Sequence, residues 1–309
     1  MGPLTEGLPV PLVEYAKRAL AQALSTRSKP DARGADIKDG KGSLSARRRF
    51  AESRSAKDWL IDETLEPRPL VIWPDKYGVI WSAKSASVVV VLWFLSQLGL
   101  LEAARFYHGW PHEFRKRVLY ESLVYQMWLE QCDIQSLTWH RIIRDPYKRA
   151  VSAYRHALRW KYEDAKMSNV LGRAIEGDRC GFSFSEFLNY LASVDIESCN
   201  LHHRQQYHPL EHELDVHVIN ADKGNLLEAL GEIGAQQMAP HALAFEIGRV
   251  NSSRVADRVS VGLDCSERAF TSSETRDKWP DYDAFLSSTI RAKIERIYWK
   301  DFQAYSNYL

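Results

Sequence analysis

The clearest pattern in the chain is a set of short apolar runs separated by polar turns. Leu70-Val71-Ile72-Trp73 and Tyr77-Gly78-Val79-Ile80-Trp81 flank Pro74-Asp75-Lys76, and each run has the length and composition of a buried strand. Leu137 to Ile143 and Asp215 to Ile219 are two further runs of this kind. Helical spacing of apolar positions covers Val88 to Leu98, Tyr147 to Tyr162, Asp222 to about Gln237, and Ala284 to Tyr305. Strands alternating with helices predict an α/β fold with a parallel sheet flanked by helices. No internal repeat is visible.

Upstream of Pro67 the pattern changes. Leu12, Ala16 and Leu20 fall at helical spacing, which predicts a short amphipathic helix over Pro9 to Leu24. Ser25 to Lys57 is rich in Ser, Gly, Arg, Lys and Asp, includes Arg47-Arg48-Arg49, and reads as a solvated basic linker. The expected division is an N-terminal helix and flexible basic linker over 1–66 and one main domain over 67–309.

Composition narrows the function more than the fold. A chain of 309 residues, 45% hydrophobic and 26% charged, has enough apolar material for a core. The net charge of +1 gives no broad basic field, so nucleic acid is not an expected partner and any anion site is local. Cys132, Cys180, Cys199 and Cys265 form no C-x-x-C pair and lie beside no His at zinc spacing, so they read as thiols in a reducing compartment, and no metal is expected. The most apolar run, Val88 to Leu101, is interrupted by Ser96 and Gln97 and is too short to span a bilayer. No basic and apolar leader precedes it. The expectation is a cytoplasmic protein without a transmembrane segment, with any membrane contact peripheral, at the inner face and made through its substrate.

Two local anion sites stand out. Tyr77 to Trp81 runs through Ser82-Ala83-Lys84-Ser85-Ala86-Ser87 into the helix at Val88. Small residues at a helix N-terminus let backbone N–H groups approach a phosphate, Ser85 and Ser87 add hydroxyls, and Lys84 adds charge. The spacing is not that of a Walker loop, which argues against a nucleotide triphosphatase. The second site follows Leu137 to Ile143. Arg144 stands at the strand's carboxyl end, Asp145 is placed to cap the next helix, and Pro146 suits its first turn. Arg149, Ser152 and His156 then fall on one helix face. An Arg fork and a hydroxyl converging from strand end and helix suit a dianionic phosphate.

The run Arg144-Asp145-Pro146-Tyr147-Lys148-Arg149-Ala150-Val151-Ser152-Ala153-Tyr154 resembles the 3′-phosphate motif of sulfotransferases that use 3′-phosphoadenosine-5′-phosphosulfate (PAPS), especially their carbohydrate branch. The turn around Lys84, about sixty residues earlier, is similar to that family's 5′-phosphosulfate loop. Phe106-Tyr107-His108-Gly109, Trp110-Pro111-His112-Glu113-Phe114-Arg115, Asn200 to Gln206, Val250-Asn251-Ser252-Ser253 and Ile297 to Phe302 resemble further elements of the family, in order. The likeness spans about Gly78 to Tyr308.

The resemblance implies a P-loop-like three-layer α/β/α fold, PAPS as co-substrate, and a saccharide, polysaccharide or glycolipid acceptor. Lys84, Ser85, Ala86, Ser87 and Val88 would hold the 5′ end of the donor, and Arg144 and Ser152 its 3′-phosphate. Lys84 would neutralise the leaving phosphate oxygen. The general base would be His108, His112 or His202, with His108 preferred. Val88 and Val89 depart from the family pattern, which has a hydroxyl residue there, and Ala83 replaces a usual Pro. The alternatives are a degenerate member that only binds an anionic nucleotide, an RNA binder using Arg155, Arg159 and Lys161, and a nucleotide-dependent kinase, for which Asp145 is available but the glycines are absent.

Overall fold

The computed structural model describes residues 55–72, 77–175, 179–233, 258–259, 262–276 and 279–309. The expected helix over Pro9 to Leu24, the linker up to residue 54, the turn at 73–76, the end of the helix read to Gln237 and the segment Val250 to Ser253 lie outside the described residues. In chain order the elements begin with α1 (Ala56–Ile61), β1 (Leu70–Ile72), β2 (Tyr77–Ile80), α2 (Ser87–Gln97), α3 (Leu101–Tyr107), α4 (Pro111–Phe114) and α5 (Leu123–Gln131). There follow β3 (Thr138–Ile143), α6 (Pro146–Trp160), α7 (Asp164–Leu171), β4 (Phe182–Ser183), α8 (Phe184–Ser193), β5 (Val216–Asn220) and α9 (Leu226–Glu232). The chain closes with β6 (Arg258–Val259), β7 (Ala269–Phe270), β8 (Trp279–Pro280), α10 (Ser288–Ile297) and α11 (Trp299–Tyr305).

The fold is mixed α/β with a mostly parallel central sheet of order β1-β2-β3-β5. β2 pairs parallel with β3, and β3 with β5. β1 is the exception and runs antiparallel to β2. Only residues 73–76 join them, and a connection that short closes a hairpin but cannot carry a parallel crossover. The long connection from β2 to β3 carries α2 to α5 instead. Gly78 lets the sheet close here, because a Cβ at this position would lie 2.3 Å from the ring of Trp139 on β3.

Apolar side chains form two clusters. The first joins the sheet to α1, α2 and α5 and includes Trp59, Trp93, Phe94 and Trp139. α1 is opened by a capping box between Ser55 and Asp58, and its Trp59 and Leu60 are buried. The packed body therefore reaches back at least to Ser55, into the segment expected to be linker. Val88 and Val89 pack half-buried against this cluster, so where the family has a hydroxyl this chain has apolar side chains turned to the edge of the core.

The second cluster holds α6. Tyr154 is fully buried among Phe182, Phe184, Phe187, Trp279 and Phe285, and its hydroxyl donates to the Phe182 carbonyl at 2.7 Å. Ala150, Ala153, Ala157 and Leu158 complete that face of the helix. The opposite face, with Ser152, Arg155, His156 and Arg159, is left only partly buried. Core packing thus fixes the side of α6 on which polar groups are presented.

Candidate active site

Residues 81–86 join β2 to α2 in a strained turn. Lys84 has φ +69° and Ala86 φ +56°, a left-handed geometry that costs of order 1–3 kcal/mol for a residue with a Cβ. Such a turn aims successive backbone N–H groups to one side. Ala86 is the N-cap of α2 and offers no side chain to cap it, so the first-turn N–H groups of Ser87, Val88 and Val89 lack an intrahelical or side-chain partner. Positive backbone potential therefore gathers at the helix start that follows Lys84.

The turn is held from below by three buried side chains. Arg149 donates from Nε to the Ala83 carbonyl at 3.1 Å and from Nη2 to the Arg204 carbonyl. Arg141 reaches the Ser82 hydroxyl at 2.8 Å. Ser85 is fully buried; its hydroxyl donates to Gln206 Oε1 at 2.7 Å and its N–H to the Ser82 carbonyl at 3.2 Å. Both donors of Ser85 are thereby spent inside the protein, so its place is in shaping the turn, not in offering a hydroxyl to a ligand. Arg149, part of the sequence motif, is likewise an internal tie.

Arg144 follows β3 as expected, and Asp145 caps α6 by accepting from the N–H groups of Tyr147 (2.8 Å) and Lys148 (3.1 Å). The Arg144 guanidinium is oriented by three partners. Nε donates to Asp222 at 3.3 Å, Nη1 to the Lys84 carbonyl at 3.3 Å and Nη2 to the Tyr282 hydroxyl at 2.7 Å. An Arg has five N–H donors, so one hydrogen on each terminal nitrogen is left, a pair suited to two oxygens of a phosphate. Ser152 lies two turns into α6 and is partly exposed.

Burial, and after it the like charges of Arg144, Arg149, Arg155 and Arg159, pull the Lys84 ammonium down to a pKa of about 7. The four charges that act most strongly on Lys84 are all cations. A lysine converging with arginines on an uncapped helix start is an arrangement suited to a multiply charged anion.

Histidines line the other side of Lys84. His202 stacks on His156 with ring centroids 4.2 Å apart, and Tyr162 joins them through a 2.6 Å hydrogen bond to His156 Nδ1. Burial lowers the pKa of both histidines, with Lys84 the next cause, and brings His202 to about 3. Asn200 Oδ1 accepts from the His202 backbone N–H at 3.0 Å and contacts His202 Nδ1 at 3.0 Å. A carbonyl oxygen already accepting there requires Nδ1 to be the protonated nitrogen, which leaves Nε2 as a proton acceptor.

The other two histidine candidates are placed differently. His112 is buried between Trp81 and Trp110, with centroid distances of 5.2 and 5.1 Å, and burial with Arg115 and Lys116 holds its pKa well below the ordinary value. It lies near enough to His202 for the two to interact electrostatically. His108 is exposed, and its Nδ1 accepts from the Trp110 N–H at 2.9 Å. The fold thus brings His202 to Lys84, places His112 behind it, and leaves His108 on the surface in a local turn.

His156, Tyr162, Asp222 and Tyr282 complete the site without having been assigned roles from sequence. His156 alone had a local signal, its place on the Arg149–Ser152 face. No group of three or more His, Cys, Asp or Glu arranged for a metal ion occurs among the described residues. Nor is any helix among them long and apolar enough to cross a membrane.

An anion cradle at a strand–helix junction, faced by neutral histidines, suits a donor that carries phosphate or sulfate. The model of the sulfotransferase family matches residues 111–308, and the chain belongs to that family. It is a sulfotransferase. The match takes in Arg144, α6, His202 and the C-terminal helices but begins after Lys84, so the Lys84 turn rests on its own geometry. No curated protein matches the chain, and no solved structure does.

Proposed function

We propose that the protein transfers a sulfuryl group from PAPS to a hydroxyl of a saccharide, polysaccharide or glycolipid. The observation that carries this reading is the convergence of Lys84, the uncapped start of α2 and the Arg144 fork, faced by the His202–His156 pair. A donor with anions at both ends needs two anchored positive sites joined through one fold, and the Lys84 turn beside Arg144 supports that reading. In the family to which the chain belongs the donated group is a sulfonate, and PAPS is the donor whose 3′-phosphate accounts for Arg144 and Ser152.

Lys84 and the N–H groups of Ala86, Ser87 and Val88 would hold the 5′-phosphosulfate, and Arg144 and Ser152 the 3′-phosphate. PAPS supplies an activated sulfur whose bond to the 5′-phosphate oxygen breaks as the acceptor oxygen bonds to sulfur. The electron pair leaves with adenosine 3′,5′-bisphosphate, and Lys84 neutralises that oxygen. The acceptor's proton passes to His202 Nε2, which is neutral at pH 7 because its pKa is depressed. Donor charge beside Lys84 raises the basicity of His202 as the complex forms. Trp160, exposed and 6.2 Å from His156, and Trp110, exposed beside His112, offer flat apolar faces for sugar rings. Asp145, the carboxylate a kinase reading needs, is occupied as a helix cap.

Arg144→Ala is expected to weaken adenosine 3′,5′-bisphosphate binding by about 10–100-fold, the scale of a lost charge-assisted pair, and to abolish the rise in melting temperature the nucleotide gives the wild type. Retention of the full melting shift by the variant would remove Arg144 from the donor site.

A pH effect follows from Lys84. Its pKa of about 7 lies below the ordinary 10.5, so at pH 8 the free protein holds Lys84 mostly unprotonated. A bound phosphate dianion raises that pKa, and binding takes up a proton. Calorimetric titration of the bisphosphate at pH 8, in buffers of different ionisation enthalpy, is expected to show uptake of roughly one proton. Affinity falls as pH rises through 7. The uptake should vanish in Lys84→Met; its persistence there would assign the proton to another group.

A further inference from the structure

The two halves of the anion site are far apart in sequence, yet one buried side chain touches both. Gln206 is 3% exposed. Its Oε1 accepts from the Ser85 hydroxyl at 2.7 Å and from the Arg144 N–H at 2.8 Å, and its Nε2 donates to the Arg144 carbonyl at 2.8 Å. The amide thus pairs with both backbone groups of Arg144, as a neighbouring strand would, just past the end of the β2–β3 ladder. With the same oxygen it fixes the residue between the two left-handed positions, Lys84 and Ala86.

Gln206 is itself rigidly placed. Its backbone N–H donates to Asp301 Oδ2 at 3.0 Å, and the next N–H, of Tyr207, donates to Asp301 Oδ1 at 2.8 Å. Its carbonyl accepts from Arg141, which also holds the Ser82 hydroxyl and the Tyr305 hydroxyl. Asp301 and Tyr305 belong to α11, so the C-terminal helix anchors the amide that joins the two half-sites. All these polar groups are satisfied, and a buried network of this kind resists small displacements because each broken bond leaves an unpaired group behind.

We propose that Gln206 is a positioning residue that sets the span between the Lys84 turn and Arg144, and that this span selects nucleotides carrying anions at both the 5′ and the 3′ position. The inference rests on the donor reading given above. Two anion sites held at a fixed separation bind a doubly charged ligand with an effective-concentration gain that neither site has alone. Without the amide, each half-site keeps its own groups and the Arg144 Nη1 bond to the Lys84 carbonyl still joins them, but most of the gain from holding them in register goes with the amide.

The test is calorimetric titration of wild type, Gln206→Leu and Ser85→Ala with adenosine 3′,5′-bisphosphate, adenosine 5′-monophosphate and adenosine 3′-monophosphate. In Gln206→Leu the bisphosphate affinity is expected to fall by about tenfold or more, the factor that 1.4 kcal/mol represents, while each monophosphate changes by less than about threefold. Ser85→Ala, which removes one bond of the bridge and leaves the amide, should show the same pattern with a smaller loss and carries the test if Gln206→Leu does not fold. Equal losses for all three nucleotides, as general destabilisation would give, overturn the inference, and so does an unchanged bisphosphate affinity. A wild-type protein that binds the bisphosphate no better than the monophosphates contradicts the donor reading itself, and the inference with it.

Discussion

Lys84→Ala is expected to lower sulfuryl transfer by about 10²–10³-fold, the range found when one positively polarised group is removed from a developing oxyanion. Lys84 is the cation of the turn, two residues before the N-cap of α2, whose first-turn N–H groups have no side-chain cap. Those N–H groups are part of the backbone and survive the substitution. Product affinity should therefore fall less than the rate, because the charge that grows on the leaving oxygen in the transition state is what Lys84 meets. Lys84→Arg should not restore activity. The guanidinium is larger, and residue 84 lies in a left-handed turn packed against Arg144 through its own carbonyl. Steady-state kinetics with saturating donor separate the two effects: a kcat lowered by a larger factor than the bisphosphate affinity is the expected pattern. An alanine variant that retains more than half of wild-type kcat would remove Lys84 from the chemistry.

His202→Ala is expected to reduce kcat by about 10²–10⁴-fold, the contribution of a positioned general base, and to leave donor affinity close to wild type. The tautomer argument adds a finer expectation. Asn200→Ala removes the acceptor that fixes Nδ1–H, so the ring loses its orientation but not its nitrogen. A loss of about tenfold should follow, with the pH–rate profile displaced. His108→Ala should behave as wild type, because His108 is exposed and its Nδ1 is engaged by the neighbouring Trp110 N–H. A large loss in His108→Ala with none in His202→Ala would reverse the assignment.

The parts of this site that could be read in the sequence obey local rules. Asp145 before Pro146 announces a helix start, and an Arg immediately before them stands at the strand end. The Lys84 turn was legible as strand, small residues and helix, although the two left-handed residues in it were not. The expected helix from Ala284 to Tyr305 is broken at Tyr298, because the buried Tyr298 hydroxyl donates to the His203 carbonyl at 2.8 Å and couples the last helices to the His202 segment. The stretch read as one helix from Asp222 starts instead at Leu226, since Asp222 is used to orient Arg144.

What was hidden is tertiary. His156 and His202 stack although they are far apart in the chain, and no local pattern links them. Ser85 read as a ligand hydroxyl because its partner, Gln206, lies on another segment. His108 looked the strongest base by local likeness, yet the fold turns it outward. The valines at 88 and 89 stand as losses from a binding loop in the sequence, and in the fold they pack half-buried against the core.

The central claim is tested most directly by incubating the purified protein with PAPS carrying labelled sulfate and a panel of saccharide, polysaccharide and glycolipid acceptors. The expected result is acceptor-dependent incorporation of label, with adenosine 3′,5′-bisphosphate released in equal amount and no transfer by Lys84→Ala above about one hundredth of wild type. Absence of transfer to every acceptor, together with no binding of the bisphosphate at millimolar concentration, would contradict it.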